Sequence, residues 1–307
     1  MSKMAKFFIT CGAVCVLGII LTVAGFAAGG VDNLEKVESS HSWFNVGAGD
    51  AESDVIEVGD YDSIKADGAM DVAVIGPDFV YGLDAEFAGN WLTEDYQEEF
   101  AGNVIVNWND PAEAPEIKVE KGVLMIHSNA KTPEVEVNLS GEDSAPDVIV
   151  FCSKEQLKNV DLGIDYGDIA VGGIDCDTMK VNVKTGDVEL NDVKCGSTEV
   201  SSTTGDVEAE DVTGGKQVYN VKTGDIQMSN CEGDITAETT TGDIEFDAVQ
   251  DMSKYEVSLH AGTGDVDVND SDEEVKDFSA AGGPNKLACK TGTGDIEVDF
   301  GVAVIDD

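Results

Sequence analysis

Apolar and acidic side chains alternate along the second half of the chain, and one short motif interrupts the alternation at near-regular intervals. It reads Thr185-Gly186-Asp187-Val188, Thr204-Gly205-Asp206-Val207, Thr223-Gly224-Asp225-Ile226, Thr241-Gly242-Asp243-Ile244, Thr263-Gly264-Asp265-Val266 and Thr293-Gly294-Asp295-Ile296, after a degenerate first copy at Tyr166-Gly167-Asp168-Ile169. Successive glycines lie 19, 19, 19, 18, 22 and 30 residues apart. Two positions beyond the Val or Ile of each motif stand Val171, Leu190, Ala209, Met228, Phe246, Val268 and Val298, usually with Glu, Gln or Asp between. That alternation is the pattern of a half-buried strand. A further apolar position follows at Ile174, Val193, Val212 and Cys231, then a second alternating strand through Val181/Val183, Val200/Ser202, Tyr219/Val221 and Ala237/Thr239. Such a unit holds two or three short strands and cannot bury its apolar side alone. Stacked on its neighbours it can, so the pattern predicts an all-β fold, a single-stranded parallel β-helix over 161–307, with consecutive units lying on one another. Seven rungs at ~4.8 Å give a rod roughly 30–35 Å long.

The motif glycines, Gly167, Gly186, Gly205, Gly224, Gly242, Gly264 and Gly294, are the predicted repeat turns. Glycine there can take positive φ or let adjacent rungs approach closely. The aspartate can fold its carboxylate onto local backbone N–H groups. Stacking also brings Asp187, Asp206, Asp225 and Asp243 to about 4.8 Å from one another, where like charges repel by roughly 1 kcal/mol per pair in water. Hydrogen bonds, lysines such as Lys184 and Lys222, or bound cations must offset this. These four aspartates are therefore the metal candidates, with Ca²⁺ as the ion. The repeat lacks the Gly-Gly-x-Gly-x-Asp nonapeptide of calcium-loaded β-rolls, which favours turn chemistry alone.

Upstream, residues 54–160 read as a further β-rich part. Val55-Ile56-Glu57-Val58 leads into a turn at Gly59–Asp62, and Ile64, Ala66, Val72 and Val74 alternate with polar residues. Ile117/Val119 and Val123/Met125 flank a turn at Lys121-Gly122, and Val148 to Phe151 is a short apolar run. Near 90–100 the spacing of Trp91, Leu92, Tyr96 and Phe100 fits one face of a short inserted helix, and this region can supply the cap a solenoid end needs.

The first residues have a different pattern. Lys3 and Lys6 precede an uncharged run from Phe7 to Gly30, long enough as a helix to span a hydrocarbon core of ~30 Å. Residues 1–6 form a cytoplasmic stub, 7–28 a transmembrane helix or uncleaved signal anchor, and 29–53 a polar, acidic linker. Gly25-Phe26-Ala27 also offers the small residues of a signal-peptide cleavage site, so a retained anchor and a cleaved signal both stand. Either way the remainder is exported, as the extracytoplasmic part of a single-pass bacterial membrane protein.

The stretch Asp60-Tyr61-Asp62-Ser63-Ile64-Lys65-Ala66-Asp67-Gly68-Ala69-Met70-Asp71-Val72, the stretch Lys118 to Ile126 and the Thr-Gly-Asp array resemble a bacterial putative-adhesin family over roughly residues 55–305. These are β-strand-repeat surface domains of unknown function. The resemblance implies a parallel β-helix on a membrane-tethered exported protein, tied to adhesion or to envelope stress, and brings no catalytic residues with it. The longer gaps after Gly242 and Gly264 depart from the regular array.

Composition narrows the chemistry. The 307 residues include 62 acidic and 18 basic side chains, all of the latter lysine, for a net charge of −44. Such a chain repels nucleic acid, and without arginine it cannot clamp phosphate or carboxylate in a bidentate fork. His41, His127 and His260 stand in no metal or catalytic spacing, and no Gly-x-Ser-x-Gly elbow, phosphate loop or dinucleotide fingerprint is present. Cysteines Cys11 and Cys15 fall in the apolar run. Of Cys152, Cys176, Cys195, Cys231 and Cys289, none forms a Cys-x-x-Cys pair. Cys176 and Cys195 share one offset in adjacent units, so their Cα atoms should lie near 5 Å, within disulfide range, or both remain reduced core residues. Three functions stay open: a non-enzymatic surface scaffold that binds an envelope component or protein partner without a cofactor, a Ca²⁺-dependent binding module, and a polysaccharide-acting β-helix enzyme. The scaffold reading takes precedence because no catalytic constellation is present.

Overall fold

A computed structural model describes residues 52–77, 79, 101–108, 114–130, 147–154, 156–269 and 275–301. The apolar run 7–28, nearly all of the linker 29–53 and the helical insertion near 90–100 lie outside them. Among the described residues no helix is long and apolar enough to cross a membrane.

The described strands, in chain order, are β1 (Glu52–Glu57), β2 (Ser63–Ala69), β3 (Asp71–Ile75), β4 (Asn103–Trp108), β5 (Glu116–Glu120), β6 (Val123–His127), β7 (Asp147–Phe151), β8 (Gln156–Tyr166), β9 (Ile169–Thr185) and β10 (Val188–Thr204). The remainder are β11 (Val207–Glu210), β12 (Thr213–Thr223), β13 (Ile226–Ser229), β14 (Glu232–Thr241), β15 (Ile244–Ala248), β16 (Tyr255–Thr263), β17 (Val266–Val268), β18 (Asp277–Ala280), β19 (Asn285–Thr293) and β20 (Ile296–Phe300). Parallel pairings stack them into a β-solenoid. Its regular part runs from β8 with the start of β9, through the end of β9 with the start of β10, to β10 with β11, β12 with β13, and β14 with β15.

Chain order and spatial order part at both ends. The rung of β2 and β3 lies between β6/β7 and β8/β9, although β6 and β7 follow it in sequence. The rung of β19 and β20 is inserted between β14/β15 and β16/β17. Stacking strictly in sequence order, expected from the even spacing, therefore fails for the last two motifs. Long connections loosen the tie between chain neighbours and spatial neighbours, and these motifs follow the 22- and 30-residue gaps. The boundary near residue 160 falls inside β8, and β2/β3 is a rung of the same ladder. Antiparallel strands close the ladder: β5 on β6, β4 on β7 with β1 beyond it, and β18 on β16.

The regular rungs up to β12/β13 turn at two left-handed corners, and the β14/β15 rung keeps only the first. The first is the Gly-Asp corner, where Gly167, Gly186, Gly205, Gly224, Gly242, Gly264 and Gly294 have φ between +124° and +144°. A Cβ on Gly205 would collide with the carbonyl oxygen of Gly186 in the rung below, and the same holds at each neighbouring motif. The first rung places Met70 at this corner, and the carbonyl of Met70 is what a side chain on Gly167 would strike. The other corner holds Gly173, Asp192, Asp211, Asn230 and Asn269, all near φ +50 to +63°. Asp and Asn tolerate that region better than other side chains do.

Between the corners the apolar columns are buried, with Val268 of the short strand β17 only partly so. Ile169, Val188, Val207, Ile226, Ile244, Ile296 and Val266 form one, each at most 1% exposed. Volumes compensate within a rung: Ala237 shares one with Phe246, and Tyr255 of β16 packs edge-on against that ring at 6.1 Å. A buried polar set is satisfied internally, since Tyr219 Oη donates to Gln217 Oε1 at 2.8 Å and Gln217 Nε2 donates to the carbonyls of Val212 and Glu232. The first rungs also bury their outer side, where Ala73, Ile75, Ile105, Ile149, Phe151 and Ala170 gather around Phe79, and Gly172 and Gly173 leave room for that ring. Without the glycine gap the ring could not seat.

Replacement Gly205→Ala is expected to cost about 3 kcal/mol, because it combines left-handed strain with a backbone collision. Gly59→Ala, with nothing within 4 Å of the added carbon, should stay within about 0.5 kcal/mol. Chemical denaturation of the two variants checks the contrast.

Candidate functional site

The Gly-Asp corners line up as one exposed edge. Backbone bonds at each step join the glycine N–H to the Thr carbonyl of the next rung, as in Gly205 to Thr223 at 3.1 Å, and the following Val or Ile N–H to the next aspartate's carbonyl, as in Val207 to Asp225 at 3.0 Å. The aspartate's own N–H lies between these two and finds its acceptor in a side chain. Asp168 donates to Asp71 Oδ1 at 2.9 Å, Asp187 to Asp168 at 2.5 Å, and Asp206 to Asp187 at 2.7 Å. The series continues at 2.7 Å through Asp225, Asp243, Asp295 and Asp265. The sequence suggested that the carboxylate folds onto its local backbone; it caps the N–H of the rung above it instead. A charge-assisted N–H···O⁻ bond contributes about 1.5–3 kcal/mol, which outweighs the roughly 1 kcal/mol of like-charge repulsion.

One of the lysines expected to neutralise this edge is engaged elsewhere. Lys184 pairs with Asp165 at 2.6 Å. Lys276 closes the far end instead: its Nζ donates to Asp265 Oδ1 at 2.8 Å and to the Gly264 carbonyl, taking the place of the next rung. Neither Asp71 nor Lys276 was marked by the repeat. Asp71 follows Met70 where the motif has glycine, and Lys276 sits in the irregular segment after β17. Among the described residues no group of three or more His, Cys, Asp or Glu is arranged to hold a metal ion.

A second feature lies where β6 meets β2. An open groove of about 400 Å³ is lined by Asp67, Ala69, His127, Asn129, Gly163 and Asp165, and a hollow of about 270 Å³ continues past Asn182, Lys184, Ser201 and Thr203. Gly163 makes the dip, because its neighbours in the same outward column, Asp67 and Asn182, carry side chains. His127 Nδ1 bonds Asp67 Oδ1, and its Nε2 bonds Asn129 Oδ1 at 3.1 Å. The hydrogen bond to Asp67, helped by that carboxylate's charge, holds the imidazole above the usual histidine range, and burial opposes it. Ser128 stands beside this pair, but its Oγ donates to the Ala69 carbonyl at 2.8 Å and accepts from the Ala130 N–H. With both imidazole nitrogens engaged and the serine proton committed, these residues do not form a nucleophile–base pair. At the other end His260 Nδ1 bonds Asp277 Oδ1 at 2.6 Å, tying β16 to β18. His41 lies outside the described residues.

Cys176 and Cys195, registered opposite each other in β9 and β10, are joined as a disulfide with Cα atoms 4.6 Å apart. Cys152, Cys231 and Cys289 are buried thiols, and burial pushes each up to about 12. Thiols that hold their protons so tightly are poor nucleophiles at neutral pH.

Two outcomes test this description. Asp225→Ala removes the acceptor for the Asp243 N–H and is expected to lower stability by about 1–2 kcal/mol, while Asp225→Asn keeps an oxygen there and should lose less; urea unfolding separates them. For His127, the folded-state pKa is raised. Its contribution is complete below the unfolded value of about 6.5 and is lost as pH rises through the higher folded value. The stability difference between the parent and His127→Gln should therefore shrink from pH 5.5 to pH 8.5. It stays small throughout, since the ring is 48% exposed.

No curated protein matches the chain. Among solved structures it is similar to a putative adhesin of Bacteroides fragilis, at 14% identity over 81% of this chain and 96% of that one, with a TM-score of 0.42. It is also similar to a putative lipid binding protein of Parabacteroides distasonis, at 14% identity, 81% and 97% coverage and a TM-score of 0.40. A putative cell adhesion protein of Clostridium sporogenes is similar at 15% identity, 81% and 98% coverage and a TM-score of 0.37. The Toastrack DUF4097 family model matches residues 111–299, a span that opens just before β5 and closes inside β20 and so takes in every Gly-Asp corner from Gly167 onward; the chain belongs to that family.

Proposed function

We propose that the chain is an exported, membrane-tethered, non-enzymatic surface protein whose solenoid serves as a scaffold for a cationic partner such as a basic peptide or a lysine-rich envelope protein. The segment 7–28 is its tether and the Gly-Asp solenoid its extracytoplasmic body. The observation that carries the reading is the division of charge between two sheets. The sheet of β11, β13, β15, β17, β20 and the start of β10 presents Glu189, Glu208, Gln227, Glu245, Glu297 and Asp267 in one outward column, at about 4.8 Å per rung, and its strands contain no lysine. The lysines Lys65, Lys180, Lys184, Lys216, Lys286 and Lys290 all project from strands of the other sheet. A flat anionic face attracts cationic partners over several ångströms and holds them without a cleft.

The same geometry speaks against catalysis. His127 has both nitrogens engaged, Ser128 is tied to Ala69, and the buried thiols keep their protons. Calcium is not needed to hold the aspartate edge together, because each carboxylate from Asp71 to Asp295 already accepts an N–H.

The proposal is tested with a fluorescent lysine-rich peptide in 0.05 M salt. Neutralising Glu208, Glu245 and Glu297 together with Gln should weaken binding about tenfold, from three exposed charge contacts of ~0.5 kcal/mol each. Neutralising Glu199, Asp234 and Glu238 on the other sheet should change it less than twofold. Equal losses on both sheets would reduce the effect to net charge and defeat the reading.

A further inference from the structure

The rung of β19 and β20 is the last described part of the chain but not the last of the ladder. β19 pairs in parallel with β14 from Ile235 opposite Leu287 to Thr241 opposite Thr293, and with β16 from Tyr255 opposite Asn285 to Thr263 opposite Thr293. β20 likewise lies between β15 and β17. Asp295 takes its place in the aspartate series, donating to Asp243 and accepting from Asp265. The rung is reached from β18 through Ala281-Gly282-Gly283-Pro284, which carries the chain across β16 from one side to the other. The passage is tight: a Cβ on Gly283 would collide with the backbone of Lys254, and the Gly283 N–H reaches the Tyr255 carbonyl at 3.2 Å.

We infer that the slot between β14/β15 and β16/β17 is an interaction site for a second copy of this chain, whose own β19/β20 rung enters in exchange. All the contacts named above are made with residues that precede the hinge. A rung from another copy in the same slot therefore makes the same pairings with β14, β15, β16 and β17 and the same bonds to Asp243 and Asp265, and only residues 281–284, with the Gly283 bond to Tyr255, change. Exchange of an identical element through a short, constrained hinge is a low-cost route to a dimer. An unfilled slot exposes the two facing parallel edges of β14 and β16, which are templates for a strand of this register. Four hinge residues reach about 14 Å when extended, so the two solenoids meet corner to corner, side by side. Their net charge of −44 each opposes that approach, and physiological salt with a Debye length of about 8 Å weakens the opposition. The exchanged rung supplies Glu297 to the anionic column from the second copy and leaves the order of that column unchanged, so the inference does not rest on the proposed cationic partner.

Cysteines placed at registered positions read the exchange directly, as Cys176 and Cys195 do within one chain. Thr236→Cys and Ala288→Cys are made in separate full-length chains and co-expressed. The expected result is a disulfide-linked dimer, absent from either variant alone, whose joined peptides contain positions 236 and 288 by mass spectrometry. Deleting Gly282 and Gly283 should raise its fraction several-fold, because the shortened hinge disfavours the closed path. Glu238→Cys with Lys290→Cys is the second pair, should the first disturb folding. If T236C/A288C or E238C/K290C in one chain cross-links internally while co-expressed single variants give no such dimer with either hinge, the exchange does not occur.

Discussion

The solenoid depends on a glycine whose α-carbon carries nothing. At each Gly-Asp corner the chain turns so close over the rung beneath that a side chain would run into a backbone carbonyl. This closeness brings the aspartate N–H within reach of the carboxylate below and the two flanking backbone groups onto their partners. Glycine provides the space and aspartate the acceptor, so neither residue alone explains the motif. Met70 shows the limit of the rule: it opens the series, and the next glycine, Gly167, is the one shaped to its carbonyl.

The series also has a direction. Every aspartate from Asp168 onward gives its N–H to one neighbour and offers its carboxylate to the next, so the terminal carboxylate, at Asp265, needs a donor that no further rung supplies. Lys276 provides it from the segment that leads into β18. The same segment pairs Val275 with Val266 and lays β18 antiparallel on β16, so the end of the parallel ladder is closed by backbone and by charge together. Antiparallel closure at both ends suits a protein with many rungs, since an open parallel edge invites further strands.

Much of this architecture was legible in the sequence, and the limits have physical causes. The Val and Ile after each Gly-Asp pair marked the inner column, because strand periodicity and burial leave few other readings. The order of rungs was not legible. Each rung carries the same motif and fits the same register, so local pattern cannot distinguish Thr263-Gly264-Asp265 from Thr293-Gly294-Asp295 as the neighbour of Thr241-Gly242-Asp243. Only the unequal gaps hinted at it. β3 was harder to read than its neighbours since Ala73 and Ile75 are buried outside while Val72 and Val74 are buried inside. The second corner left a usable trace in Asp192, Asp211 and Asn230, residues that tolerate left-handed backbone. The pairing of His127 with Asp67 left none, because it joins strands far apart in sequence.

Charge follows from this architecture in a way composition could not reveal. A net charge of −44 spread evenly would be a solubility device and no more. Stacking does not spread it evenly: a residue type that recurs at one offset becomes a column, and a lysine at another offset becomes a column on a different sheet. The repeat thereby converts a small sequence bias into two outward surfaces of unlike character, one anionic and one mixed. The Gly-Asp edge runs between them with its carboxylates already bonded along the ladder. The offset of a residue within the repeat, and not the composition of the chain, thus decides which sheet carries its charge.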